Sequence, residues 1–327
     1  MADQRILVAG SGSLGSVYGG ILARNGGRVT LLGRAAHIGA IERDGLRISG
    51  LFGEHVVRGI GVESDAARLK ERFDLILFSV KAYDTTAMAD ALVGRLDDGG
   101  IIVSLQNGLG NLEQLISRFG AQHALGARVI FGAELERPGA TRITVFAEPI
   151  AAGPALALQR NHAQALETRA AEFADLMSSA GVPTIAVADV MPVLWTKMLY
   201  NVALNPLGAL LGLHYGALAD DPDLRAIMNR AIDEAFAVAQ AEGVTLPFAD
   251  SAAYREVFYD RLVPITFDHR PSMLSDLRQR GRTEIDALNG KVVELALRHG
   301  LNADTNRLLC ALIHASERRR CGGAEGK

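Results

Sequence analysis

The stretch Arg5-Ile6-Leu7-Val8-Ala9-Gly10-Ser11-Gly12-Ser13-Leu14-Gly15-Ser16-Val17-Tyr18 decides the fold. Arg5 to Ala9 is a short apolar run that suits a buried strand. Gly10 to Gly15 matches G-x-G-x-x-G, and Ser16 to Asn25 reads as a helix stopped by Gly26-Gly27. The six-residue pattern is weak alone, but strand, glycine loop and helix in this order are the context a dinucleotide-binding loop requires. Gly10 permits the tight turn, Gly12 lets backbone approach a pyrophosphate, and Gly15 lets helix and strand pack closely. The helix start offers unpaired N–H groups and partial positive charge to the phosphates. Gly10, Ser11, Gly12, Ser13, Leu14 and Gly15 are therefore candidate cofactor contacts.

Further along, Arg28 to Leu32, Asp74 to Val80 and Ile101 to Leu105 read as strands, with helical spacing over Thr85 to Leu96. Strands alternating with helices point to βαβ units and a parallel sheet. In such sheets, ligands lie beyond the carboxyl ends of the strands. The second strand ends in Leu32-Gly33-Arg34, without the acid that usually binds the ribose 2′-hydroxyl of NAD. A guanidinium there can hold a 2′-phosphate by paired hydrogen bonds, so Arg34 points to NADP(H). Lys81 and Asn107 follow the next two strands and are candidate cofactor or substrate contacts. Leu125 to Ala133 and Thr141 to Ala152 read as two strands joined across Arg137-Pro138-Gly139, a turn too short for anything but an antiparallel pair. Asn161 to Ala180 is helical and Pro183 to Ala188 a last strand.

From Met191 onward the pattern is helical throughout: Leu194 to Leu213, Pro222 to Glu242, Ser272 to Arg280, Glu284 to His299 and Thr305 to Ser316. The expected organisation is a Rossmann-type α/β domain over residues 1–189, and an all-α substrate and catalytic domain over residues 190–327 with a frayed tail from Glu317. Within the first of these helices, Lys197, Asn201 and Asn205 recur every four residues and share one face about 80° wide. The neighbouring residues are apolar enough for burial, and buried amides or ammonium groups need partners or a wet cavity. A stripe lining a substrate cleft meets that need. Pro206 withholds an N–H from the Val202 carbonyl, so the helix should kink or end near Asn205. Ser272 after Pro271 suits a cap, Thr283 with Asp286 resembles a capping box, and Glu284 is favoured near a helix start by the macrodipole.

Composition narrows the class. With 34 basic and 37 acidic side chains among 327 residues the net charge is −3, which argues against a dedicated nucleic-acid binder. Two cysteines cannot build a disulfide framework, and a reducing, cytoplasmic setting follows most simply. No apolar stretch reaches the ~20 residues of a membrane helix, and the N-terminus lacks the pattern of a signal peptide. The alanine-rich stretch Pro222 to Glu242 suits a homodimer contact.

Five motifs in order carry a resemblance over nearly the whole chain: Gly10 to Gly15; Val80-Lys81-Ala82-Tyr83-Asp84; Gln106-Asn107-Gly108; Trp195-Thr196-Lys197 with Asn201 and Asn205-Pro206-Leu207; and Pro271-Ser272-Met273 through Asp276 to Thr283-Glu284-Ile285-Asp286 with Asn289-Gly290. In these the chain resembles the ketopantoate reductase family, which reduces a 2-keto acid with NADPH. The resemblance implies that Lys197 is the catalytic lysine protonating the keto oxygen, and that Glu284 contacts substrate and catalytic machinery. It implies that Asn107 lies near nicotinamide and substrate, and that Asn201, Asn205 and Ser272 bind substrate, Ser272 towards the carboxylate. Lys81 and Arg34 match cofactor contacts. His269-Arg270-Pro271 departs from the usual small polar residues, and Arg270 bears on the carboxylate pocket. Two other readings stand beside this one: a β-hydroxyacid-type dehydrogenase and a non-catalytic NADP-binding redox sensor. A sensor has no need of a proton donor such as Lys197.

Overall fold

The computed structural model describes residues 4–322. Residues 1–3, where the N-terminal expectation begins, and 323–327, at the end of the expected tail, lie outside the described residues. The chain divides into two compact units, Met1–Val190 and Met191–Lys327.

In the first unit the strands are β1 (Arg5–Ala9), β2 (Arg28–Leu32), β3 (Leu46–Gly50), β4 (His55–Val57), β5 (Gly61–Glu63), β6 (Phe73–Phe78), β7 (Leu96–Ser104), β8 (Ala124–Arg128), β9 (Phe131–Arg137), β10 (Ala140–Phe146), β11 (Ile150–Gly153) and β12 (Thr184–Ala186). Eight of them form one sheet in the order β12-β11-β8-β7-β6-β1-β2-β5. From β5 to β8 every neighbouring pair is parallel. Only β8 with β11 runs antiparallel in this sheet among the described residues. The chain leaves β1 to one side for β2 and later returns to the other side for β6, so the switch point lies beside β1. The strand pair there has no polar interruption because it is buried on both faces: Ile6 to Ala9 and Leu75 to Phe78 are 0% exposed. The unit is thus a Rossmann-type α/β domain.

A second sheet, β4-β3-β10-β9, corrects two expectations. The segments Leu125 to Ala133 and Thr141 to Ala152 are not two strands but four. Their ends near the core, β8 and β11, pair in the large sheet; their distal halves, β9 and β10, form the hairpin around Pro138-Gly139 and pair onward with β3. Burial separates the halves: Ala124 to Ala127 and Ile150 to Gly153 are buried, whereas Glu134 to Arg137 are exposed. Tyr18 of the helix Ser13–Arg24 joins Phe52, Phe131 and Phe146 in an aromatic cluster with ring centroids 5.4–5.7 Å apart, which attaches the small sheet to the helix. The stretch between β2 and β6, unassigned from sequence, holds the helix Ala35–Asp44 and three short strands.

All described elements of the second unit are helical. The helix Met191–Leu211 does not end at Asn205; it runs on with Pro206 inside it. The carbonyl that Pro206 leaves without its usual N–H, that of Val202, accepts instead from Asn289 Nδ2 at 2.9 Å. The same Nδ2 donates to Asn306 Oδ1 at 2.9 Å, and Asn306 Nδ2 donates to the Ala231 carbonyl and to Glu234 Oε2. Asn289 and Asn306 are both 0% exposed. A side chain 87 residues away therefore completes the helix. The apolar face of Pro222–Ala241, on which a homodimer contact was expected to rest, is buried inside the unit through Met228, Ile232, Phe236 and the alanines beside them. Glu317 is likewise not tail: it lies in the helix Asp304–Gly322 and its carboxylate accepts the Thr283 N–H at 2.7 Å.

Candidate active site

The first unit collects its candidates at the carboxyl ends of four adjacent strands, β7, β6, β1 and β2. At Gly10 φ is +99°, and a Cβ there would lie 2.6 Å from the Val80 amide nitrogen. A Cβ on Gly15 would meet the Gly10 carbonyl at 2.3 Å, so only hydrogen fits between loop and helix. A Cβ on Gly12 would meet nothing within 4 Å. Leu32 holds the loop from the other side, its carbonyl accepting both the Gly10 and Ser11 N–H groups. The helix begins at Ser13, earlier than expected, and its first internal bond runs from Ser16 N–H to the Gly12 carbonyl. The N–H groups of Ser13, Leu14 and Gly15 precede that bond. The first turn carries no acid and no side chain caps it. An anion at this end meets donors and no repulsion.

Two further observations test whether a dinucleotide suits the loop. Ser11 Oγ is buried without a hydrogen-bond partner, which costs stability unless a ligand or water supplies one. Ser11 also presses on Gly33, where a Cβ would fall 1.9 Å from that Oγ. The loop and the end of β2 are thus shaped together and leave a polar group to be satisfied. Arg34, exposed, is the residue before the helix Ala35–Asp44. Glu63, on β5 next to the end of β2, is an acid that sequence reading overlooked; its Oε1 accepts the N–H groups of Ser64 and Asp65.

Lys81 and Asn107 stand in the loops after β6 and β7, both half-buried. A buried amide network ties these loops together. Gln106 Nε2 donates to the Val80 carbonyl at 3.0 Å and to Thr85 Oγ1 at 2.7 Å, and its Oε1 accepts from Ser104. Thr85 then donates to Asn111 Oδ1, and Asn111 Nδ2 donates to the Asn107 carbonyl. Thr85 and Asn111 are the first residues of the helices Thr85–Ala91 and Asn111–Phe119, and no sequence signal marks them as site residues. At the opposite, amino ends of β1 and β6 lies a shallow crevice lined by Gln4, Asp74, Arg169, Glu172 and Asp175. It sits at the end of the sheet where doubly wound folds do not bind ligands.

In the second unit, Lys197, Asn201 and Asn205 lie along the helix Met191–Leu211. Asn201 and Asn205 are 7% and 6% exposed, so this is no solvent-washed face. Their amides form a chain: Tyr215 Oη donates to Asn205 Oδ1 at 2.9 Å, and Asn205 Nδ2 donates to Asn201 Oδ1 at 3.3 Å. Burial pushes the Tyr215 phenol well above its ordinary range, which keeps it a donor. Tyr215 was not legible as a site residue because it lies on the separate helix Tyr215–Asp220.

Ser272 opens the helix Ser272–Arg280 as its first residue; Pro271 precedes it and no side-chain cap is made, against expectation. Pro271 packs on Gly208, where a Cβ would fall 2.8 Å from the proline ring, so Ser272 stands beside the far end of the asparagine helix. The guanidinium of Arg270 donates to the Gly212 carbonyl. Glu284 is 7% exposed and precedes a 3-10 turn, Ile285–Ala287, that breaks the expected helix before Asn289–His299. Thr283 Oγ1 accepts the Ile285 N–H as a cap should. Asp286 does not complete the box: it pairs with His314, and Glu317 takes the Thr283 N–H.

Comparison with known proteins gives one answer along the whole chain. Residues 6–155 match the family model described as ketopantoate reductase PanE/ApbA, and residues 189–317 match its C-terminal model. The 2-dehydropantoate 2-reductase of Aquifex aeolicus is 34% identical over 314 residues, covering 96% of this chain and 97% of that one. The crystal structure of a PanE/ApbA family ketopantoate reductase from Ralstonia eutropha superposes with a TM-score of 0.84 at 33% identity, covering 96% of this chain and 99% of that one. A D-mandelate dehydrogenase solved with NADH and anilino(oxo)acetate gives a TM-score of 0.86 over 96% of this chain and 99% of that one; at 23% identity it shows the fold alone. A Rossmann unit followed by a helical unit, each matched by its own family model, makes this chain a member of the ketopantoate reductase family of oxidoreductases acting on a CH–OH group.

Proposed function

We propose that the chain reduces a 2-keto acid to the 2-hydroxy acid with NADPH, with 2-dehydropantoate, reduced to pantoate on the route to pantothenate, as the substrate. The observation that carries the reading is the row Lys197, Asn201 and Asn205 on one helix, its two amides buried and held by Tyr215. Bound NADPH supplies the hydride. Residues of the chain do the rest. As the carbonyl carbon receives the hydride, negative charge builds on its oxygen; Lys197 Nζ stabilises that charge and delivers the proton that makes the hydroxyl. Asn201 and Asn205 bind and orient the keto acid, Ser272 binds its carboxylate, and Glu284 contacts both substrate and the catalytic groups. Asn107 and Lys81 contact cofactor, Asn107 also near the reacting carbon. The glycine loop, Gly10, Ser11, Gly12, Ser13, Leu14 and Gly15, takes the pyrophosphate, and Arg34 takes the 2′-phosphate. Glu63, paired with Leu32 at the end of β2, is an acid close to that place, its Oε1 engaged by its own turn, so the preference between NADPH and NADH is the measurement that decides the role of Arg34. A cytoplasmic setting fits the low cysteine content and the buried Cys310 thiol.

A panel of 2-keto and 3-keto acids followed by NADPH absorbance tests the reading. Oxidation with a 2-keto acid, 2-dehydropantoate foremost, is expected; oxidation with none points to a non-catalytic nucleotide binder, and with 3-keto acids alone to the β-hydroxyacid class. NADPH is expected to serve much better than NADH, and Arg34→Ala to remove most of that preference. Equal use of both by the unaltered chain overturns the role of Arg34.

Tyr215→Phe removes one hydroxyl and frees the Asn205 amide to rotate. The expected result is a KM for the keto acid raised roughly 3–10-fold, the worth of one hydrogen bond, with the KM for the nucleotide unchanged. An unchanged keto-acid KM would separate Tyr215 from substrate binding.

A further inference from the structure

His37 lies on the helix Ala35–Asp44, three residues past Arg34, and is 4% exposed. Its two ring nitrogens face different parts of the first unit. Nδ1 is 3.0 Å from the Gly139 amide at the tip of the β9–β10 hairpin. A backbone N–H only donates, so Nδ1 is the acceptor and bears no proton. In the neutral ring the proton then sits on Nε2, which lies 2.9 Å from Ser16 Oγ and donates to it. Burial pushes the imidazole below the ordinary histidine range, in keeping with a neutral ring. The Ser16 hydroxyl, 0% exposed, in turn donates a hydrogen bond to the Ser11 carbonyl at 3.2 Å. Each hydrogen in the row Gly139, His37, Ser16, Ser11 is therefore oriented from one end.

The last acceptor is the informative one. The Ser11 carbonyl belongs to the Ser11–Gly12 peptide, whose N–H donates to the Gly10 carbonyl at 2.8 Å and closes the tight turn of the glycine loop. Rotation of that peptide changes ψ of Ser11 and φ of Gly12, and glycine makes the second change cheap. Turned over, the peptide would lose both its bonds, and the turn that leads into the N–H groups of Ser13, Leu14 and Gly15 would open. The Ser16 hydroxyl holds the carbonyl on the protein side, and His37 leaves Ser16 no other proton to use.

We propose that His37, acting through Ser16, is a positioning residue that holds the Ser11–Gly12 peptide, and with it the turn of the glycine loop that sets the anion-receiving helix start at Ser13. The proposal rests on the dinucleotide reading above. It links the small sheet to nucleotide affinity, since the hairpin tip at Gly139 sets the tautomer of His37. The chemistry recognised is the pyrophosphate common to NADPH and NADH, so the effect is independent of the 2′-phosphate.

The test measures binding of NADPH and NADH to the full chain by fluorescence titration, with steady-state kinetics alongside. Ser16→Ala removes the middle of the row. His37→Asn keeps an acceptor for Gly139 and loses the donor to Ser16. Each is expected to raise the Kd of both nucleotides roughly 3–10-fold, with kcat at saturation moving less than twofold. The double variant is expected to bind no more weakly than the weaker single, because both break one row. Unchanged Kd in either single variant, or losses that multiply in the double, overturns the proposal. If the unaltered chain binds neither nucleotide, the dinucleotide reading falls with it; if it binds one and the variants bind it equally, the positioning role alone falls.

Discussion

Lys197→Ala is expected to lower kcat by at least about 100-fold while NADPH still binds with near-normal affinity. The magnitude follows from the reaction. Reduction of a ketone places a full negative charge on oxygen unless a proton arrives with the hydride, and a positioned general acid is worth about 10²–10⁴-fold. Among the polar residues of the helix Met191–Leu211, Lys197 supplies an ammonium group while Asn201 and Asn205 supply only amides. An amide can orient the keto acid but has no proton to give. The nucleotide loop belongs to the other unit, so its affinity should survive the change. The check is steady-state turnover of the acid identified by the panel, with NADPH titration of the same sample. Turnover within tenfold of the unaltered chain would remove Lys197 from the chemistry.

The largest effect on stability is expected at Asn289. Asn289→Ala deletes the group that donates to both the Val202 carbonyl and Asn306 Oδ1, and leaves two buried acceptors without those bonds. Each unsatisfied buried group costs about 1–3 kcal/mol, so the second unit should lose roughly 2–6 kcal/mol. Because Pro206 already denies Val202 its helical bond, no neighbouring backbone donor can replace the amide. The asparagine helix would then be strained at the turn that carries Asn205, and keto-acid KM should rise with the loss of stability. Urea unfolding monitored at Trp195, which is 1% exposed in this helix, reads the change. A loss below about 1 kcal/mol would mean that water fills the gap.

What sequence reading found and what it missed divide along physical lines. β1 and β6 were legible because strands buried on both faces are almost wholly apolar. The glycine loop was legible because Gly10 and Gly15 answer steric demands that no other residue meets. Lys197, Asn201 and Asn205 stood out as polar residues at helical spacing in an apolar segment. β4 and β5, three residues each, are too short to display any period. The division of Leu125 to Ala133 between two sheets follows from which partner each half finds, a property of distant strands. The same holds for Tyr215 and His37: each matters through side-chain bonds to other elements, and such bonds leave no local signature.

The small sheet is built from two excursions of the chain, β3 with β4 and β9 with β10, each inserted between neighbouring or nearby strands of the large sheet. Its central pairing joins Ile48 to Thr141 in parallel, so neither excursion can complete it alone. Closing so long a loop costs entropy that only the finished contacts repay. The expected order of assembly is that the large sheet forms first, brings the two excursions within reach, and the small sheet closes last. In the folded protein the same logic runs backwards. One local opening is expected to release both excursions together, and with them the hairpin tip that faces His37, with amides of the small sheet exchanging together and ahead of those of the large sheet.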